Sequence, residues 1–312
     1  MQGFLNFPSL SHDSSPLHSD VDWNIQLLRD GAAYDAHTLL REAEGNNIVA
    51  TVLTEKTGSQ PLLEAQRAQA AFDTTGIVCA GIVGSCTLTA EDVETQLAAL
   101  ATVPNMRGIR HLHQIDQTGY LHPPDAGHPG LFADASFRRG FGLLSAHNFS
   151  FDACLWFEQL PELLDLARAF PEQLIVLNHC GSPVGVGPWG GDKADDSFRR
   201  WAAHIGALAA CPNVVCKVGG LLLTANGHGF EQHEAAPTST AVAAFIKPFV
   251  DHVIAEFGVE RCLFESNFPV DRGAVGYTVL VNAYKRVLAG LSEADQVAIF
   301  AGNARRVYRL AT

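Results

Sequence analysis

From residue 31 to 310 the chain repeats one arrangement, a short run of apolar and β-branched residues followed by a stretch with helical periodicity. Runs of this kind fall at 48–55, 76–83, 107–112, 150–156, 174–181, 214–220 and 261–270. Parallel strands need crossover connections, usually helices, so this alternation predicts an α/β fold with a parallel sheet. The order fits a TIM-type (β/α)8 barrel, but seven runs are one short of the eight that close it. The first strand is missing or degenerate: before the first helix the sole apolar patch is GFLNF, followed by a Ser, His, Asp and Pro stretch that reads as loop.

The helical stretches are amphipathic. In LPELLDLARAF, Leu160, Leu163, Leu164 and Ala167 share one face, and in YDAHTLLREAEGNN the apolar face is Tyr34, Leu39, Leu40 and Ala43. Two more close the chain, YTVLVNAYKRVLAG and SEADQVAIFAGNARRVYRL, the latter with Ser292 as N-cap. No long linker divides the sequence, so the expected organisation is an irregular segment over 1–30 and one barrel domain over 31–312. The gap left by the absent strand is filled by a poor substitute from residues 1–23, or covered by loops or by a second subunit in a homo-oligomer. A true start upstream of Met1 would be a further way to supply it.

Composition narrows the function. At 47% hydrophobic and 17% charged the chain is neither disordered nor a membrane protein. A net charge of −12 repels nucleic acid and anionic membranes, so neither is expected as a partner, and an anionic small-molecule substrate would need local arginine. Seven cysteines without a C-x-x-C pair, mostly among apolar neighbours, suit buried thiols in a reducing compartment. With no basic-then-apolar leader in the first residues, the expected localisation is cytoplasmic.

In a parallel barrel the carboxyl ends of the strands face one pocket, so polar residues there are the first candidates. In LIVLNHCG, alternation puts Ile175, Leu177 and His179 inward, with Asn178 and Cys180 against the helices. In RCLFESNFPVD, Leu263, Glu265 and Asn267 point inward and Asp271 lies on the following loop. A buried Glu265 needs a partner, and Lys217 in VVCKVGG is the expected structural ion pair. Arg110 in MRGIRHLH is placed to clamp a carboxylate or lactone oxygen, while Arg107 reads as a salt bridge outside the barrel. His111 and His113 have metal-ligand spacing, but if Arg110 faces inward they face the helices. Glu55 and Asp152 are further acids near strand ends, read as substrate-binding or as solvated termini. The loop SPVGVGPWGGDK lacks the P-loop order and reads as a pocket cover, and the loop over 221–237, with Asn226, His228 and His233, reads as bordering the same pocket.

The RGIR, LNHCG, KVGG and ESNFPVD strands and the NARRVYRL helix, in this order and at βα spacing, resemble the amidohydrolase-related family of TIM-barrel enzymes (amidohydrolase 2 type) over nearly all of residues 32–310. The resemblance implies a hydrolase of a small cyclic ester (lactone) or related carbonyl or carboxylate compound. A non-oxidative decarboxylase of an aromatic or unsaturated acid is the alternative, and an inactive or truncated member a third. It also implies a divalent metal, zinc or manganese, in relatives with an intact first-strand His-x-His. Here that pair is absent: Asp35 and His37 belong to the first helix, and His12 and His18 are loop residues. With His179 the one imidazole at a family position, and Asn267 where many members place the catalytic aspartate, weak or no metal binding is expected. By the same resemblance His179, Asn267 and Asp271 are the candidate catalytic residues, and His179 the candidate metal ligand.

Overall fold

The computed structural model describes residues 34–55, 60–121, 128–232 and 235–311. GFLNF, His12, His18 and His233 lie outside the described residues. The described chain forms a seven-stranded sheet in sequential order: β1 (Val52–Thr54), β2 (Gly81–Ser85), β3 (Met106–His113), β4 (Ser150–Leu155), β5 (Ile175–Leu177), β6 (Val214–Val218) and β7 (Cys262–Phe264). Every neighbouring pair is parallel. Each strand overlaps one of the runs read from sequence.

Helices follow the strands in turn: α1 (Ala36–Glu42) precedes β1, then come α2 (Pro61–Thr75), α3 (Val93–Leu100), α4 (Ala135–Gly142), α5 (Leu160–Ala169), α6 (Ala194–Ala209), α7 (Ser239–Phe257) and α8 (Tyr277–Val287). Asp35 caps α1 by accepting from Thr38 N at 2.8 Å, which confirms that Asp35 and His37 belong to a helix and not to a strand. The last predicted helix is broken into α9 (Glu293–Val297) and α10 (Asn303–Val307) by a π-helical turn, Ala298–Gly302.

Two apolar layers divide the strand residues. Phe151, Ala153, Ile175, Leu177, Val214 and Cys216 pack outward with helix residues such as Leu163, Trp201 and Ile205. Val83, Val176, Val215 and Leu263 point the other way, into an interior cluster with Val307, Tyr308 and Leu310. The inward face of β5 is therefore the opposite of the one expected. Alternation across an apolar strand cannot reveal which face is inside when both are buried.

The NARRVYRL motif has a structural explanation. Asn303 Nδ2 donates to the carbonyls of Val259 and Cys262, both at 2.8 Å, which fixes α10 below β7. Arg309 Nη2 donates to the Asn148 carbonyl at 2.6 Å, beside the start of β4, and Leu310 occupies the space where a Cβ on Gly81 would stand. The chain end thus plugs the amino-terminal end of the sheet interior and leaves the carboxyl end for chemistry.

β1 and β7 each pair on one side, and no strand joins them among the described residues. A cavity of about 980 Å³ is lined by Thr51–Thr54 of one edge and Leu263–Glu265 of the other, and continues to the carboxyl ends of β3, β4 and β5.

Candidate active site

His179 reaches the site by a route that alternation does not describe. β5 ends at Leu177, Asn178 follows in extended conformation, and His179, Cys180, Gly181 and Ser182 all have positive φ, at 55°, 52°, 71° and 44°. This left-handed turn swings the imidazole over the carboxyl end of the sheet, where Nδ1 lies 2.8 Å from Glu265 Oε2. The His179 backbone N–H donates to the same oxygen at 3.2 Å. The KVGG glycines make room: a Cβ on Gly220 would lie 2.1 Å from His179 Nδ1, and one on Gly219 2.6 Å from the Glu265 Cβ.

Below this pair lies a second ionic group. Lys217 Nζ is 2.9 Å from Asp152 Oδ2 and 3.6 Å from Glu265 Oε1, so the Lys217–Glu265 contact exists but Asp152 is the nearer partner. Asp152 also accepts from Tyr308 Oη at 2.8 Å, Asn178 Nδ2 at 3.1 Å and Ser150 Oγ at 3.3 Å. It is fully buried and does not line the cavity. The expectation that Asp152 binds substrate is therefore corrected: its acceptor sites are spent holding the lysine and the terminal plug.

Burial alone would lower the His179 pKa, but the Glu265 carboxylate and the Cys154 thiol outweigh it and raise it to about 10. Burial would raise Glu265, yet His179, Lys217 and Arg110 hold it down to about 2. Both shifts favour the imidazolium–carboxylate form of the pair.

Arg110 on β3 lines the cavity, as does Cys154 on β4, and Arg110 Nη2 donates to Cys154 Sγ at 3.6 Å. His179 hydrogen-bonds the same thiol. Cys154 and Trp156 share the inward face with Asp152 by period-two spacing, the signal by which they were discoverable. The buried Arg110 Nε and Trp156 Nε1 have no partner in the described protein. Arg107 forms no salt bridge among the described residues; its Nη1 donates to the carbonyls of Pro104 and Met106, both at 2.8 Å.

The histidine pair on β3 faces outward as parity required. His113 Nε2 is 3.2 Å from Glu162 Oε2 on α5, and His111 packs edge-on against Phe137 of α4, its pKa lowered by burial to about 4. Asn267, at φ 51°, donates through Nδ2 to Asp271 Oδ1 at 2.7 Å. Asn267 lines the cavity whereas Asp271 does not, and burial raises the Asp271 carboxyl to about 7. The loop after β6 contributes Leu223, Thr224 and Ala225 to the cavity. The glycine-rich loop expected to cover the pocket does not line it; Gly185 N donates to the Ala225 carbonyl at 2.9 Å, so it buttresses the loop that does.

Glu55 is also displaced from its expected role. It is absent from the cavity wall, and Oε2 is buried without a hydrogen-bond partner. Burial, with Glu64 of α2 adding repulsion, raises its pKa from 4.5 to about 8. Between those values the folded chain holds a proton that the unfolded chain releases, so this group's contribution to stability falls as pH rises and is lost through about pH 8. Glu55→Gln is expected to flatten the decline of the thermal midpoint between pH 5 and 8.5; superimposable pH profiles for the two proteins would show that Glu55 ionises normally.

The donors do not fit a metal centre. Among the described residues no three His, Cys, Asp or Glu side chains converge on a point that could hold an ion. The imidazole of His179 is engaged through Nδ1 by Glu265, and it also interacts with the Cys154 thiol. His179 thus has no set of partner ligands beside it among the described residues. No helix among the described residues is long and apolar enough to cross a membrane.

Comparison with known proteins places this geometry. The chain is 34% identical over 233 residues to protein y4mH of Sinorhizobium fredii, spanning 74% of this chain and 70% of that one. It is 29% identical over 207 residues to an L-fucono-1,5-lactonase of Burkholderia multivorans, a match that spans 66% of this chain and 63% of the lactonase. A crystal structure of a zinc-bound amidohydrolase from Burkholderia multivorans superposes with a TM-score of 0.76 at 24% identity, covering 94% of this chain and 95% of the other. A 5-carboxyvanillate decarboxylase from Sphingomonas paucimobilis shares the fold with a TM-score of 0.58 at 13% identity, covering 93% of this chain and 91% of the other. The amidohydrolase family model matches residues 31–310, nearly the whole described chain, and the protein belongs to the amidohydrolase family.

Proposed function

We propose that this protein hydrolyses a small lactone bearing a carboxylate. The observation that carries the reading is the His179–Glu265 pair beside the Arg110 guanidinium, at one end of a cavity large enough for a small cyclic ester. Arg110 is suited to clamp the substrate carboxylate, with its unpartnered Nε and the Trp156 indole N–H as donors. The His179 imidazolium is suited to protonate the ring oxygen as the ester bond breaks, and Glu265 holds the ring in place. The resemblance to an L-fucono-1,5-lactonase supports a lactone as the substrate, and the carboxylate is argued from Arg110 alone.

The test is proton release on a panel of sugar, aliphatic and pyrone lactones, each with and without a carboxylate. Hydrolysis is expected, with a preference for the carboxylated members. Arg110→Gln should reduce that preference about 10- to 100-fold, the worth of a charged hydrogen bond of about 1.5–3 kcal/mol. Carbon dioxide release from aromatic acids, with no lactone turned over, would favour the decarboxylase reading instead.

A further inference from the structure

Lactone hydrolysis needs a nucleophile, and the carboxylates around His179 are poorly placed to make one from water. Glu265 is committed to His179 and Lys217, Asp152 lies below in its own network, and Asp271 is outside the cavity wall. One group on the wall is placed to attack. Cys154 Sγ sits 3.6 Å from Arg110 Nη2 and is hydrogen-bonded by His179, whose Nδ1 is oriented by Glu265 at 2.8 Å. Thiol, imidazole and carboxylate thus form a relay across β4, β5 and β7, with a guanidinium from β3 beside the sulfur.

We propose that Cys154 is the nucleophile of this site, a thiolate paired with the His179 imidazolium, and that it carries the acyl group as a thioester; this rests on the lactone reading above. The Cys154 sulfur attacks the lactone carbonyl carbon, forming a C–S bond. The ring C–O bond breaks, and its oxygen takes the proton of the His179 imidazolium to leave a hydroxyl. Water then attacks the thioester and gives one proton to the neutral His179. The C–S bond breaks with its electrons on sulfur, which restores thiolate and imidazolium and releases the hydroxy acid.

The surroundings favour the charged sulfur. Burial raises the thiol pKa, but Arg110 and His179 outweigh it and the net shift is downward, against the opposing charge of Glu265. The other cysteines with a resolved shift, Cys79, Cys86, Cys216 and Cys262, are all pushed upward by burial.

Two measurements decide it. Iodoacetamide, followed by peptide mapping of the folded protein, should label Cys154 ahead of the other six cysteines. Its rate should change less than threefold between pH 6 and 9, where an ordinary thiol accelerates on the order of 10²-fold. Glu265→Gln should restore the ordinary profile. With any lactone the protein hydrolyses, acid-quenched intact mass should show an adduct equal to the lactone, absent in Cys154→Ala, which should lose at least 10²-fold in kcat. An unreactive Cys154, or one with an ordinary pH profile, overturns the proposal. Lactone turnover that survives in Cys154→Ala within threefold, without an adduct, overturns it while leaving the lactonase reading intact. Fast, pH-independent labelling without turnover of any lactone keeps the nucleophile and removes the substrate class.

Discussion

Lys217→Met unfolds about 3–5 kcal/mol more easily than the natural chain in urea or heat, the cost of leaving a buried charge without its counter-ion. The methionine keeps the length of the side chain but removes the one cation between two acids. Asp152 is fully buried and Lys217 is 6% exposed, so water cannot replace the lost ammonium. Tyr308, Asn178 and Ser150 still donate to Asp152, but neutral donors do not balance its charge. The double variant Lys217→Met with Asp152→Asn should recover part of the loss, because it removes the orphaned charge as well. A Lys217→Met protein within about 1 kcal/mol of the natural one would show that water reaches this layer.

His179→Asn lowers kcat/KM for the substrate lactone by about 10²–10⁴, the usual contribution of a positioned acid or base. Asparagine is chosen because residue 179 has φ 55°, a conformation that asparagine adopts more readily than most residues. The turn is thereby kept, and the loss reports the missing imidazole. Rates are compared on samples whose far-ultraviolet circular dichroism matches the natural protein. Activity retained within threefold would remove His179 from the chemistry and leave it a packing role.

Much of this protein could be read from residue pattern, and the failures have definite causes. The seven strands, the helices between them and the polar strand ends follow from hydrophobic periodicity, which is a local property. The outward direction of His111 and His113 followed from Arg110 by parity alone, since all three lie within one regular strand, β3. Parity failed on β5 because both of its faces are apolar and because a left-handed turn begins directly after Asn178. Glu55 and Asp152 looked like accessible acids because sequence shows a carboxylate at a strand end but not what covers it.

The seven parallel strands are legible at both levels. The sequence has seven strand-like runs, and the described chain pairs seven strands in sequential order. What residue order determined by itself is the family, the alternating α/β fold and the identities of His179, Glu265, Lys217 and Arg110 as residues worth following. Tertiary structure alone decided their pairing: Lys217 with Asp152 from β4, His179 with Glu265 just after β7, and Cys154 between Arg110 and His179. These partners lie 65 to 86 positions apart in the first two pairs, so no local periodicity relates them. They meet because parallel strands in sequential order bring every carboxyl end to the same side, where burial makes each charge depend on its neighbour.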